Sequence, residues 1–177
     1  LSKNKHPLLM TRGVPGTHDI DLMLNFFKKI KTKNFKSLQI PTFNKAIDDR
    51  CAKNKWHKIR LRPDVVIFEG WCVGARPQLS NHLKKPINSL EKVHDQEAKW
   101  RAYVNNQLKN KYKTLFKQLD GLLYLKAKNF GLLREWRLKQ ERKLWIKTKN
   151  KKNLKIMSRG DVINFMQTYQ RITQQMF

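Results

Sequence analysis

Asp64-Val65-Val66-Ile67-Phe68-Glu69-Gly70-Trp71 decides how the rest of this 177-residue chain is read. Val65 to Phe68 form a continuous apolar run, rich in β-branched residues, between Pro63-Asp64 and Glu69-Gly70. A half-buried strand alternates apolar and polar side chains, whereas an unbroken run of this length is the pattern of a parallel strand covered on both faces. Open α/β sheets bind ligands at the carboxyl ends of their strands, so Glu69 is expected to point into a site. A carboxylate there suits nucleotide chemistry, either holding Mg²⁺ directly or through water or accepting the proton of an attacking hydroxyl. A strand-end Glu paired with a nearby Lys explains the same residue without chemistry.

Leu122-Leu123-Tyr124-Leu125 reads as a second strand of the same kind. Between the two, Asn88-Ser89-Leu90-Glu91 is a candidate capping box opening one long helix. Trp100, Val104, Leu108, Tyr112, Leu115 and Leu119 fall on a single stripe of that helix. Strand, crossover helix and strand make an α/β sheet. Two more helices are expected over 130–147 and 159–176, joined by a Lys/Asn-rich link. Upstream, Thr17 is a candidate N-cap for a helix in which Ile20, Met23, Leu24, Phe27 and Ile30 recur at helical spacing.

The turn before that helix, Arg12-Gly13-Val14-Pro15-Gly16-Thr17-His18-Asp19, combines backbone amides, a helix N-terminus and three polar side chains, Arg12, His18 and Asp19. Helix N-termini favour negative charge and Arg fits a carboxylate bidentately, so this segment could grip an anionic substrate. Plain punctuation, with Asp19 favouring the helix dipole, is the competing reading. Lys45, Asp49 and Arg50 crowd opposite charges into a polar loop after Gln39-Ile40-Pro41, which surface pairing explains nearly as well as substrate contact. Further on, Arg134 and Arg137 lie three apart on one helical face, with Arg142 just beyond Glu141. Arginines on a mobile helix can close over a transferring phosphoryl group. The bland reading is a solvated basic face.

With 40% hydrophobic residues the chain can bury one core, and a single domain is expected over 1–177, with a helical lid around 130–150. Lys and Arg number 39 against 13 Asp and Glu, a net charge of +26, which raises nucleic acid, anionic membrane or phosphorylated ligands as partners. The excess is mostly Lys scattered with Asn, as in Lys31-Thr32-Lys33-Asn34, which points to solvated surface more than to one polyanion face. Cys51 and Cys72 belong to no CxxC or Cys/His spacing, and the five histidines show no metal-ligand pattern. With no stretch near the roughly 20 apolar residues of a membrane span and no secretory segment, a cytoplasmic protein is expected.

Read together, several words in order resemble the glycerate kinase group, relatives of the phosphoribulokinases, uridine kinases and pantothenate kinases. They are His6-Pro7-Leu8, RGVPGTHD at 12–19, PTFNKAIDDR at 41–50 and DVVIFEGWCVGARP at 64–77. WRAYVN at 100–105, WRLKQERKL at 136–144 and the final helix with Met166, Tyr169, Arg171 and Thr173 follow. The resemblance implies a three-layer P-loop kinase-type parallel sheet with flanking helices, and phosphoryl transfer from ATP, with Mg²⁺, to a hydroxyl of a small hydroxy acid such as D-glycerate. By it Glu69 serves the Mg²⁺-nucleotide centre. Arg12, His18, Asp19, Lys45, Asp49 and Arg50 shape the acceptor site, and Arg134, Arg137 and Arg142 belong to the lid. Two departures stand out. No GxxxxGK[ST] loop occurs in the sequence, nor the Asp-bearing strand after it, so the fold is expected to be incomplete at both ends and the chain alone inactive. Asn44 stands where the family word carries Asp. Two other readings stay open at this point: a non-catalytic basic module associated with nucleic acid, and a degenerate kinase relative that only binds a metabolite.

Overall fold

The computed structural model describes residues 6–10, 12–44, 49–148 and 157–177. They divide into two compact units, Asp19–Glu69 and the remainder, so that the first is an insertion within the second.

In the inserted unit, α1 (Ile20–Ile30) is followed by four short strands, β1 (Leu38–Ile40), β2 (Phe43–Asn44), β3 (Asp49–Arg50) and β4 (His57–Ile59). β1 pairs antiparallel with β4, Leu38 opposite Ile59, and β2 pairs antiparallel with β3, Phe43 opposite Arg50. Ile20, Phe27, Ile30 and Leu38 are buried, and Phe68 meets Phe27 edge-on at 5.5 Å between ring centroids. The N-cap of α1 is Asp19, whose Oδ1 accepts from the Leu22 amide at 3.1 Å. Thr17 was the expected cap, but its hydroxyl is occupied within the preceding turn.

The larger unit is helical: α2 (Ser89–His94), α3 (Lys99–Gln107), a π-helical stretch over Leu108–Tyr112, α4 (Lys113–Phe116), α5 (Phe130–Thr148) and α6 (Arg159–Met176). The last two match the expected helices. The single long crossover helix does not form. Asn88 caps as expected, accepting from the Glu91 amide at 2.9 Å. At Asp95, however, the carboxylate accepts from the amides of Trp100 (2.7 Å) and Arg101 (3.1 Å), which ends α2 and starts α3 one turn later. Ala98 takes a left-handed conformation, φ 59°, at that break.

The stripe on this helix pair is buried at Trp100, Val104, Leu108, Tyr112 and Leu115. Steps of four residues overshoot the α-helical 3.6, so in a regular helix each step would rotate the stripe by roughly 40°. The wider π turn absorbs the excess and keeps Tyr112 on the buried face. α6 closes the unit: Gln167 accepts from Ser89 Oγ (2.8 Å) and the Leu90 amide (2.7 Å) at the start of α2, and α6 packs along α5.

Neither expected parallel strand forms a ladder. Residues 65–68 and 122–125 run without strand pairing, and Ile67, Leu123 and Leu125 are each more than four-fifths exposed. A parallel strand exists only through its neighbours, and none of the described residues pairs with either run.

Candidate functional site

The turn at residues 12–18 is an irregular segment of the larger unit held by several side-chain hydrogen bonds. Thr17 ties it internally, its Oγ1 accepting from the Gly13 amide (2.9 Å) and donating to the Val14 carbonyl (2.7 Å). Val14 and Pro15 are buried beneath it. Gly16 adopts φ 99°, and a Cβ there would lie 2.6 Å from Tyr103 Cε1, so only glycine fits. Aromatic residues strap the turn from outside. Trp71 Nε1 donates to the Gly13 carbonyl at 2.9 Å, and Trp71 in turn packs edge-on against Tyr169, 4.9 Å between centroids. Buried Tyr112, brought round by the π turn, places its hydroxyl 3.1 Å from the Gly16 amide and 2.6 Å from His18 Nδ1.

This setting has electrostatic consequences. Burial, with the Arg12 guanidinium nearby, lowers the pKa of His18 below the ordinary histidine value. Burial also pushes the Tyr112 phenol well above its usual range, so both rings are neutral near pH 7. An exposed cation, Arg12, beside a neutral imidazole oriented through its Nδ1 makes a pairing matched to a small anion such as a carboxylate.

The expected lid arginines all lie on α5 but differ in circumstance. Arg134 and Arg142 are exposed and have no ion-pair partner among the described residues. Arg137 is committed: its guanidinium pairs with Glu141 at 2.5 Å, bonds Gln140 at 2.9 Å and stacks over Phe165, 5.7 Å from the ring centre. Phe165 packs on Tyr169, so an aromatic chain runs from Arg137 to the strapped turn.

In the inserted unit, Asp19 and Arg50 are brought together, 3.0 Å apart and each about half exposed. Asp19 is thus both helix cap and ion-pair partner. Asp49 accepts from the Arg50 amide at 2.7 Å. Lys45 lies outside the described residues. Glu69 is exposed, at the end of an unpaired segment rather than of a buried strand, and has no ion-pair partner among the described residues. The missing strand ladder is the reason for that difference.

Sequence reasoning passed over Tyr112, Tyr103 and Tyr169 as site residues. It also missed two buried pairs that shape the larger unit: Arg171 with Glu91 at 2.6 Å and Arg101 with Asp95 at 3.0 Å. For Tyr112 a signal existed in the repeated four-residue spacing, which an α-helix cannot sustain.

No family model matches the chain. It is 30% identical over 182 residues to Uncharacterized kinase mug58 of Schizosaccharomyces pombe, covering 96% of this chain and 61% of that one. It is 26% identical over 148 residues to the chloroplastic D-glycerate 3-kinase of Arabidopsis thaliana, covering 78% of this chain and 30% of that protein. The chain therefore spans well under two thirds of the relatives it matches. Among solved structures, D-glycerate 3-kinase from Cryptococcus neoformans superposes with a TM-score of 0.78 over 98% of this chain and 61% of its own, at 24% identity, which establishes the fold.

Proposed function

We propose that the chain is a glycerate kinase-like P-loop kinase, as its similarity to these kinases supports, and that it supplies the acceptor site and helical lid of an ATP-dependent phosphotransferase acting on a hydroxyl of a small hydroxy acid, D-glycerate foremost. The observation that carries the reading is the strapped turn at 12–18, which holds the His18 ring in place near exposed Arg12 before any ligand arrives. Positioning is the main protein contribution to phosphoryl transfer, since the chemistry lies in the phosphoanhydride and the attacking hydroxyl. Arg12 would bind the acceptor's carboxylate, leaving its hydroxyl free to attack the γ-phosphorus as the bridging bond to ADP breaks. Arg134 and Arg142, exposed and without an ion-pair partner among the described residues, suit the negative charge spread over the transferring group. Asp19, Lys45, Asp49 and Arg50 are proposed as further acceptor contacts, each open to test by single substitution.

Glu69 is proposed as the carboxylate of the Mg²⁺-nucleotide centre. Among the described residues no group of three or more His, Cys, Asp or Glu gathers to hold a metal. Mg²⁺ in kinases is held by one or two carboxylates together with water and phosphate oxygens, so a lone Glu69 fits an ion that arrives with the nucleotide. When bound, the ion neutralises charge on the phosphates. The 177 residues contain no GxxxxGK[ST] loop, so the phosphate-cradling amides have to come from another segment of the active protein.

Calorimetry tests the division of labour. The 177-residue chain should bind Mg²⁺-ATP no better than about millimolar, near −4 kcal/mol, and release no ADP in response to D-glycerate. A chain extended by a Walker A-bearing segment should gain both together. Micromolar ATP affinity in the shorter chain would refute the proposal.

A further inference from the structure

The Tyr112 hydroxyl has one proton and faces His18 Nδ1 and two backbone amides, those of Gly16 and His18. Amides can only donate, and that of Gly16, at 3.1 Å, takes one of the oxygen's lone pairs. The hydroxyl proton then has a single acceptor among the described residues, His18 Nδ1, 2.6 Å away. The opposite arrangement, with Nδ1 carrying the proton, would give the oxygen a further incoming hydrogen and strand its own proton in a residue only 2% exposed.

We infer that Tyr112 is a positioning residue that locks His18 in the tautomer protonated at Nε2, making this imidazole a hydrogen-bond donor to an anionic oxygen of the acceptor and not its proton acceptor. The inference deepens the acceptor-site reading above and rests on it for the identity of the acceptor. It divides labour between two adjacent groups: Arg12 supplies charge and His18 supplies a directed N–H. A neutral imidazole with Nδ1 engaged and Nε2 protonated has no lone pair free at Nε2, so the proton of the attacking hydroxyl has to leave to another group. Burial of both rings keeps each neutral, which is the condition for this arrangement.

Long-range ¹H–¹⁵N spectra of the histidine rings in the 177-residue chain, recorded well above the imidazole range, read the tautomer directly. His18 should show a proton-bearing Nε2 and a bare Nδ1; a protonated Nδ1 would overturn the inference. In Tyr112→Phe, His18 should become a mixture of tautomers or reverse, and an unchanged Nε2–H form in a folded variant would remove Tyr112 from the argument. Should that variant not fold, a coupling across the hydrogen bond from the Tyr112 hydroxyl proton to His18 Nδ1 in the unsubstituted chain decides the point, and a coupling from an Nδ1 proton refutes it. Titration with D-glycerate separates the two proposals: it should shift the His18 Nε2–H signal. A lack of response with the tautomer as stated would sink the acceptor reading alone.

Discussion

Arg171→Leu should cost the larger unit about as much stability as truncating one of its large core side chains. Arg171 uses all five of its N–H donors. Nε bonds Glu91 Oε1 at 2.7 Å, Nη1 bonds the His82 carbonyl (2.9 Å) and Gln78 (3.2 Å), and Nη2 bonds Glu91 Oε2 (2.6 Å) and the Lys85 carbonyl (2.8 Å). Glu91 is fully buried, and among the described residues its carboxylate would keep one hydrogen bond, from the Ile87 amide at 3.0 Å. Breaking a buried pair by removing one partner leaves an uncompensated charge and costs about 3–5 kcal/mol. For a chain of this size each kcal/mol moves Tm by roughly 2–4 °C, so a fall of about 6–20 °C is expected. Urea unfolding followed by circular dichroism should give the same loss at unchanged m. The pair Arg171→Leu with Glu91→Leu should recover much of it, because an apolar replacement of both charges is often neutral. A loss under about 1 kcal/mol for the single variant, well below that class of effect, would refute the reasoning. Function should follow stability, since α6 carries the Tyr169 ring that backs Trp71.

Glu69→Gln in the active, extended enzyme should lower kcat by on the order of 10²-fold with the fold intact, and unchanged turnover would assign Glu69 to structure. Gly16→Ala should destabilise the turn and weaken D-glycerate binding, because its backbone is left-handed and Tyr103 occupies the added methyl's space; unperturbed binding by calorimetry would contradict this. The pKa of His18 is lowered in the folded chain, so the unfolded chain takes up its proton first as pH falls below about 6.5. Stability should therefore decline from there downward until folded His18 also protonates, and His18→Gln should flatten that part of a stability–pH curve. Binding to DNA should be weak, indifferent to sequence and lost between low and physiological salt, as a scattered +26 implies; tight, selective binding at physiological salt would overturn the kinase reading.

Helices were the most legible part of the fold, because their apolar spacing is local. α5 and α6 could be placed almost to the residue. The break between α2 and α3 was less visible: Asp95 competes with the backbone for the amides of Trp100 and Arg101, and only the delayed start of the stripe at Trp100 hinted at it. The cap of α1 moved from Thr17 to Asp19 because the Thr17 hydroxyl was claimed by Gly13 and Val14. Both residues are good caps, and propensity could not choose between them. The runs at 65–68 and 122–125 carry a strand's composition, but pairing is a property of neighbours, and the described residues provide none. Of the candidate site, the turn at 12–18 was legible as a cluster of chemistry. Its aromatic supports were not, since they lie up to 156 residues away in sequence and look there like ordinary core.

The π turn at Leu108–Tyr112 makes the helix carry one residue more than a regular α-helix of the same length would need. Deleting one residue there, Asn110 for instance, would let the backbone relax into unbroken α-helix, so the change would be mild as far as the helix itself is concerned. Its two halves would keep their relative orientation, because about 11 α-helical steps of roughly 100° from Trp100 return the chain to within about 20° of the starting face. With Trp100 kept in place, Tyr112 would therefore stay on the buried face, its hydroxyl still turned towards Gly16 and His18. The extra residue is thus a spare one, and a natural variant shortened by one residue within this turn would remain folded and keep the orientation of His18.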